Sequence, residues 1–203
     1  MWVDEPFERV TFDTSMADIT VVDSDVERPR IIHDAGAIHL RHHVDGNELV
    51  IETDRPSWDS WNFDGGRSPE RHLTLQLPHD HALGASLVIT TFGGDVTLDG
   101  RFGDITATTS GGDFSLEGKA ASLALENVAG DSRVNLDDAP ATMSIQTSAG
   151  DQDVTLPVGD YGITTKAGLG DIRNGLGNNP DAARQYRFES RVGDILIGPR
   201  QPD

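Results

Sequence analysis

The chain has 203 residues, a formal net charge of −18 from 34 acidic against 16 basic side chains, 22 Gly and no Cys. That length suits one or two domains with a real core, and a content of 36% hydrophobic but only 6% aromatic residues describes a turn-rich β protein. The charge repels nucleic-acid phosphates and anionic lipid, and no basic patch offsets it; the missing Cys excludes a disulfide framework and thiol chemistry.

No stretch reaches the roughly 18 apolar residues of a membrane helix, so no direct membrane insertion is expected. The opening Met-Trp-Val-Asp-Glu-Pro is acidic and carries no signal peptide. The expected setting is either the cytoplasm or the cell envelope, the latter as a domain of a longer anchored protein.

Residues 1–78 read as an N-terminal β region. Val10/Phe12, Ile19/Val21, Ile38/Leu40, Leu49/Ile51 and Leu73/Leu75/Leu77 alternate with polar neighbours, the period of a half-buried strand. Asp45-Gly46 between two such runs predicts a hairpin, so part of this region pairs antiparallel. Residues 54–71 interrupt the alternation and hold Trp58, Trp61 and Phe63 in an otherwise loop-like stretch. Aromatics in such an excursion mark a contact for a protein or glycan partner, or fold back over the flank of the core.

Residues 79–198 repeat. Gly-Asp recurs at Gly94-Asp95, Gly112-Asp113, Gly130-Asp131, Gly150-Asp151, Gly170-Asp171 and Gly193-Asp194. Eight, six and four residues before each Asp stand triplets such as Leu87/Ile89/Thr91, Met143/Ile145/Thr147 and Tyr186/Phe188/Ser190: large and apolar, nearly so, then small or polar. Apolar pairs stand one and three residues after Asp95, Asp113 and Asp194 and three and five after Asp131 and Asp151, a displacement of two that keeps the inward face inward. Each unit is therefore strand, Gly-Asp turn, strand and a variable corner. One coil cannot bury its own apolar face, but copies stacked about 4.8 Å apart cover one another. The expected fold is an all-β, parallel β-solenoid of short coils, resembling a single-stranded β-helix.

In each turn the Gly takes positive φ and the Asp accepts backbone N–H groups to fix the corner. Thr91, Thr109, Asn127, Thr147 and Ser190 predict a polar ladder just inside that corner. Gly103-Asp104 falls between repeats and predicts the opposite corner. A helical turn is expected at Asp181–Arg184, and a frayed tail after Ile197, with residues 199–203 outside the repeats.

The Phe-x-x-Val-x-Phe opening resembles a known family when taken with Ala17-Asp18-Ile19-Thr20-Val21-Val22-Asp23-Ser24-Asp25, Asp45-Gly46-Asn47-Glu48-Leu49-Val50-Ile51, Leu73-Thr74-Leu75-Gln76-Leu77-Pro78 and the Gly-Asp-Val repeats. It is similar to the bacterial putative-adhesin family of β-strand-repeat domains over roughly residues 7–198. The resemblance implies a bacterial β-solenoid, found beside membrane segments in envelope or envelope-stress proteins. It implies no catalytic residues.

Two readings stand for the stacked Asp95, Asp113, Asp131, Asp151, Asp171 and Asp194: each caps its own turn, or together they form a calcium track. The denser Gly-Gly-x-Gly-x-Asp spacing of calcium-binding β-rolls is absent, which favours caps. All seven His precede residue 82: His33, His39, His42, His43, His72, His79 and His81. His79-Asp80-His81 could put two imidazoles on one strand face, but lacks an assured third ligand. No phosphate loop, nucleophile elbow or Cys/His zinc pattern is present, so no cofactor and no metal is expected. The expected function is a non-enzymatic interaction or scaffold module, with oligomers left open. The alternatives are a cytoplasmic polymer-forming scaffold of the bactofilin kind and a carbohydrate-active β-helix, which would need a cleft with paired carboxyl groups.

Overall fold

A computed structural model describes residues 1–34, 39–54 and 71–200. It is all-β apart from one helical turn, α1 (His79–Ala82). The chain starts with β1 (Arg9–Thr14) and β2 (Asp18–Ser24), then β3 (Arg30–His33), β4 (Leu40–Asp45), β5 (Glu48–Thr53) and β6 (His72–Pro78). After α1 come β7 (Ser86–Thr91), β8 (Val96–Thr109), β9 (Phe114–Ala129), β10 (Ser132–Leu136), β11 (Thr142–Ala149) and β12 (Gln152–Leu156). The last elements are β13 (Tyr161–Leu169), β14 (Ile172–Asn174), β15 (Arg184–Val192) and β16 (Ile195–Pro199).

Registers between rungs are parallel, and they stack the apolar positions into columns. Along one face Leu49, Val10, Leu87, Ile105, Leu123, Met143, Tyr186 and Ile163 stand in line. Along the other, Leu75, Val21, Leu98, Leu116, Val134, Val154 and Ile197 do the same. These side chains belong to one core that spans both halves of the chain, from Val3 to Ile197. Each fully buried large side chain contributes roughly 1.5–3 kcal/mol, and its neighbours in the column exclude the water. The antiparallel pairs are β4 with β5, across Asp45-Gly46, and β3 with β6.

Spatial order departs from chain order at both ends. The rung of β1 and β2 lies between the rung of β5 and β6 and that of β7 and β8. At the far end β15 and β16 slot between β11 and β12 on one side and β13 and β14 on the other. The chain thus lays down its terminal rung first and then returns to fill the gap.

Two local expectations change. Residues 181–184 form no helical turn: Ala182 N–H donates to Asn179 O at 3.0 Å, and β15 pairs with β13 from Arg184 onward. Strand pairing with Tyr161 satisfies the backbone that a helix would have closed locally. The tail does not fray at Ile197, because Arg200 N–H donates to Leu156 O at 2.7 Å and its guanidinium pairs with Asp137 at 2.7 Å.

The stack requires glycine where rungs touch. Gly94, Gly112, Gly130, Gly150, Gly170 and Gly193 all have positive φ. A Cβ at Gly130 would stand 2.1 Å from the Gly112 carbonyl oxygen, which is rigid backbone. At Gly46, also at positive φ, a Cβ meets nothing within 4 Å. Gly46→Ala should therefore cost about 1 kcal/mol of backbone strain, and Gly130→Ala roughly 3 kcal/mol or more. Urea unfolding of both variants measures the difference.

The chain's two tyrosines stack at 5.2 Å near the C-terminal end of the core. Tyr186 donates to Pro140 O and Tyr161 to Pro157 O, each at 2.7 Å. Burial raises both phenols, helped at Tyr186 by Tyr161 and opposed at both by Arg184; Tyr186 is pushed up to about 12. A raised phenol means the folded state holds its proton longer than the unfolded chain. The stabilisation is complete below the ordinary value of 10 and is lost as pH rises from 10 through about 12. Absorbance titration should find no phenolate with an ordinary midpoint while the fold persists, and Tyr186→Phe should flatten the alkaline loss of stability.

Candidate functional site: the Gly-Asp corner

Alternation ends at each corner because Gly turns the chain and the next residue, Asp, points along the stack. The carboxylates do not cap their own turns. Asp95 N–H donates to Asp18 Oδ1 at 2.9 Å and Asp113 N–H to Asp95 Oδ1 at 2.8 Å. Asp131 N–H donates to Asp113 Oδ1, and Asp151 N–H to Asp131 Oδ1. Asp194 N–H then reaches Asp151 Oδ1, and Asp171 N–H reaches Asp194 Oδ1, both at 2.8 Å. Each aspartate joins one rung to the next, and the order follows space rather than sequence.

Asp18 opens this ladder with Ala17 in place of the glycine, so a search for Gly-Asp alone misses it. The available signal was the Asp-Ile-Thr-Val strand start, which matches Asp-Val-Thr-Leu at Asp95. Behind the carboxylates Thr91, Thr109, Asn127, Thr147 and Ser190 stack in register and are buried. Their bonds form only part of a ladder. Thr109 Oγ1 donates to Asn127 Oδ1 at 2.8 Å and Gln152 Nε2 to Thr147 Oγ1 at 3.1 Å, but Thr91 Oγ1 turns to Gly93 O.

A groove of about 470 Å³ runs beside the corner, lined by Asp113, Asp131, Asp151, Asp194 and Asp171, with Arg133 and Arg173 among them. Exposed apolar side chains flank the corner, above all Phe92 at 73% and Leu169 at 70%. Trp58, Trp61 and Phe63 lie outside the described residues. Their segment leaves the frame at this same corner: Asp54 O accepts Ser15 Oγ at 3.0 Å and Arg71 O accepts Asp18 N–H at 2.8 Å.

The opposite corner holds a different cluster. Gly100 and Gly118 turn there at positive φ, Gly103 N–H donates to Ala85 O, and Asp104 accepts Ser122 Oγ at 2.6 Å. Asp23, whose side chain is only 7% exposed, accepts Arg101 Nε at 3.1 Å and contacts His79 Nδ1. His79 and His81 sit on α1 rather than on a strand, and they diverge: His79 meets Asp23, while the His81 ring lies 4.4 Å from Phe7. His72 pairs with Asp18 at 3.4 Å. Among the described residues no three His, Cys, Asp or Glu converge as a metal cluster, and no helix is long and apolar enough to cross a membrane.

The model of the Toastrack DUF4097 family matches residues 6–197. Among curated proteins none matches the chain. Among solved structures, one described as a putative cell adhesion protein from Clostridium sporogenes superposes with a TM-score of 0.56 at 16% identity, over 98% of this chain and 97% of that one. A Bacteroides fragilis structure described as a putative adhesin gives 0.49 at 15% identity over 95% and 93%. A putative lipid binding protein from Parabacteroides distasonis gives 0.31 at 13% identity over 97% and 93%.

The ladder predicts a contrast between two substitutions. Asp131→Ala leaves the Asp151 N–H without its acceptor and should cost about 1–3 kcal/mol. Asp131→Asn keeps an acceptor oxygen and removes one of a row of like charges, so it should fall within about 0.5 kcal/mol of the parent. Denaturant midpoints at low and high salt check both, since screening removes the repulsive part only.

Proposed function

The chain belongs to the Toastrack DUF4097 family, and from that premise we propose a parallel β-solenoid that serves as a non-enzymatic, adhesin-like interaction module of the bacterial cell envelope or its stress system. Its residues 1–78 continue onto the stack formed by 79–198. The observation that carries the reading is the employment of the corner carboxylates. Acid–base chemistry on a glycan would need a free pair of them. Each from Asp18 to Asp194 instead holds the backbone of a neighbouring rung, so the row is frame.

A rigid frame with an aromatic excursion at one corner suits recognition. Trp58, Trp61 and Phe63 supply large contact area at low entropic cost. Met16 and Phe92, exposed on the adjoining rungs, extend an apolar surface from the point where that segment leaves the corner. The partner is a protein or a glycan, bound without a cofactor. The Clostridium sporogenes neighbour, described as a putative cell adhesion protein, agrees with an envelope setting.

Titration with purified peptidoglycan fragments and an array of bacterial polysaccharides, read by Trp fluorescence, tests the reading. Binding should fall at least about tenfold in Trp58→Ala with Trp61→Ala, with the melting temperature within about 1 °C and the glycan recovered uncut. A drop of several degrees would make the rings part of the core and end the contact role.

A further inference from the structure

The two ends of the stack are finished differently. At the N-terminal end the outer strand β3 is itself paired, Ile31 N–H donating to Met1 O at 2.8 Å and Val3 N–H to Pro29 O at 3.0 Å, while the outer hairpin strand β4 pairs only with β5. At the C-terminal end β13 pairs only with β15, and β14 only with β16. Half of that edge is covered by the loop before β15. Asn178 Oδ1 accepts Ile163 N–H and Asn179 N–H donates to Tyr161 O, both at 2.8 Å. From Thr165 through Asn174 no such cover exists among the described residues, and the outward N–H and C=O groups form an open parallel edge.

Three further observations fall on this open half. Ile172 is 43% exposed, although its register partner Ile195 is fully buried in the same inward column. Leu169 and Val192, paired across β13 and β15, are also exposed. The carboxylate ladder ends here with a vacant acceptor: Asp171 gives its N–H to Asp194, and no N–H donates to its own carboxylate among the described residues.

Charge indicates what can approach. Residues 161–199 hold five basic against four acidic side chains, while residues 1–160 hold ten basic against twenty-nine acidic. The C-terminal end is thus a region where two copies of so acidic a chain can meet without strong repulsion. Lys166 and Arg173 solubilise the edge, yet they leave its backbone groups uncovered. The same side chains can face the Asp171 carboxylate of a second copy.

We propose that two copies of this chain associate through the open half of the C-terminal rung, edge to edge about a two-fold axis, with Leu169, Ile172 and Val192 at its centre. Such pairing continues the sheet from one copy into the other, buries the exposed end of the inward column and brings donors to Asp171. It closes on itself as a dimer, unlike a head-to-tail contact, which would propagate. The polar residues that end several inward columns, Thr165 and Asn174 at this end and His42 at the other, oppose an endless stack.

Sedimentation velocity from roughly 5 to 500 μM, the range of weak edge contacts, should show the 21.9 kDa chain moving toward twice its mass. Leu169→Lys with Ile172→Thr should weaken that association at least about tenfold while the melting curve and the β circular-dichroism spectrum stay as in the parent. Pyrene on Arg173→Cys, the sole thiol in a chain without Cys, should give excimer emission by itself, and pyrene on His43→Cys at the other end should give none. A monomer throughout the range, a species that keeps growing with concentration, or a dimer indifferent to the double substitution would each overturn the proposal. Trp58→Ala with Trp61→Ala should leave the dimer intact, so loss of partner binding and loss of dimer are separate results.

Discussion

The structure depends on how closely one rung can approach the next at the Gly-Asp corner. There the missing Cβ of Gly112, Gly130, Gly150 and Gly193 leaves room for the carbonyl of a neighbouring glycine, and positive φ turns the chain without a side chain to collide. Once that approach is set, the aspartate that follows lands within reach of the N–H of its counterpart one rung away. The glycine contact and the carboxylate bond enforce the same spacing, which is also the spacing of the parallel ladder. Local turn chemistry and long-range pairing therefore agree, and such agreement across levels favours a single packed state.

This geometry explains why an acidic row becomes structural. A row of carboxylates incurs mutual repulsion, offset because each one before the terminal Asp171 accepts a backbone N–H from the neighbouring rung. The opposite corner has no such repeated solution. It uses separate ion pairs, Asp23 with Arg101 and His79, Lys119 with Asp138, and Arg200 with Asp137, and its loops vary accordingly. One edge of the molecule is regular and the other is adaptable.

Much of the core was legible because a period of two assigns each residue to a face without reference to its partners. Leu87/Ile89/Thr91 and its counterparts are buried where the alternation places them, except that Thr165 and Ala167 on the outermost strand are only half-buried. The hairpin at Asp45-Gly46 was legible from turn chemistry alone. The Asp18 rung was obscured by Ala17, since a dipeptide search cannot see that a neighbouring rung supplies the tight approach. The direction of the carboxylate bonds was also hidden, because an Asp beside a turn can serve its own backbone or another rung's, and only stacking decides between them. The cluster of Asp23, Arg101 and His79 joins residues far apart in the chain with no shared pattern to connect them.

Composition and periodicity by themselves determined an all-β chain, the inward and outward faces, the positions of the tight corners and the acidity of the surface, because each depends on a residue and its near neighbours. Tertiary structure alone decided the order of the rungs. β1 and β2 enter behind β5 and β6, and β15 and β16 slip in ahead of β13 and β14. Every rung presents the same spacing and the same apolar columns, so any rung could pair with any other on local grounds. Which one does so depends on column volumes, on loop reach and on which end is left with a polar face, and these exist only once the chain is folded.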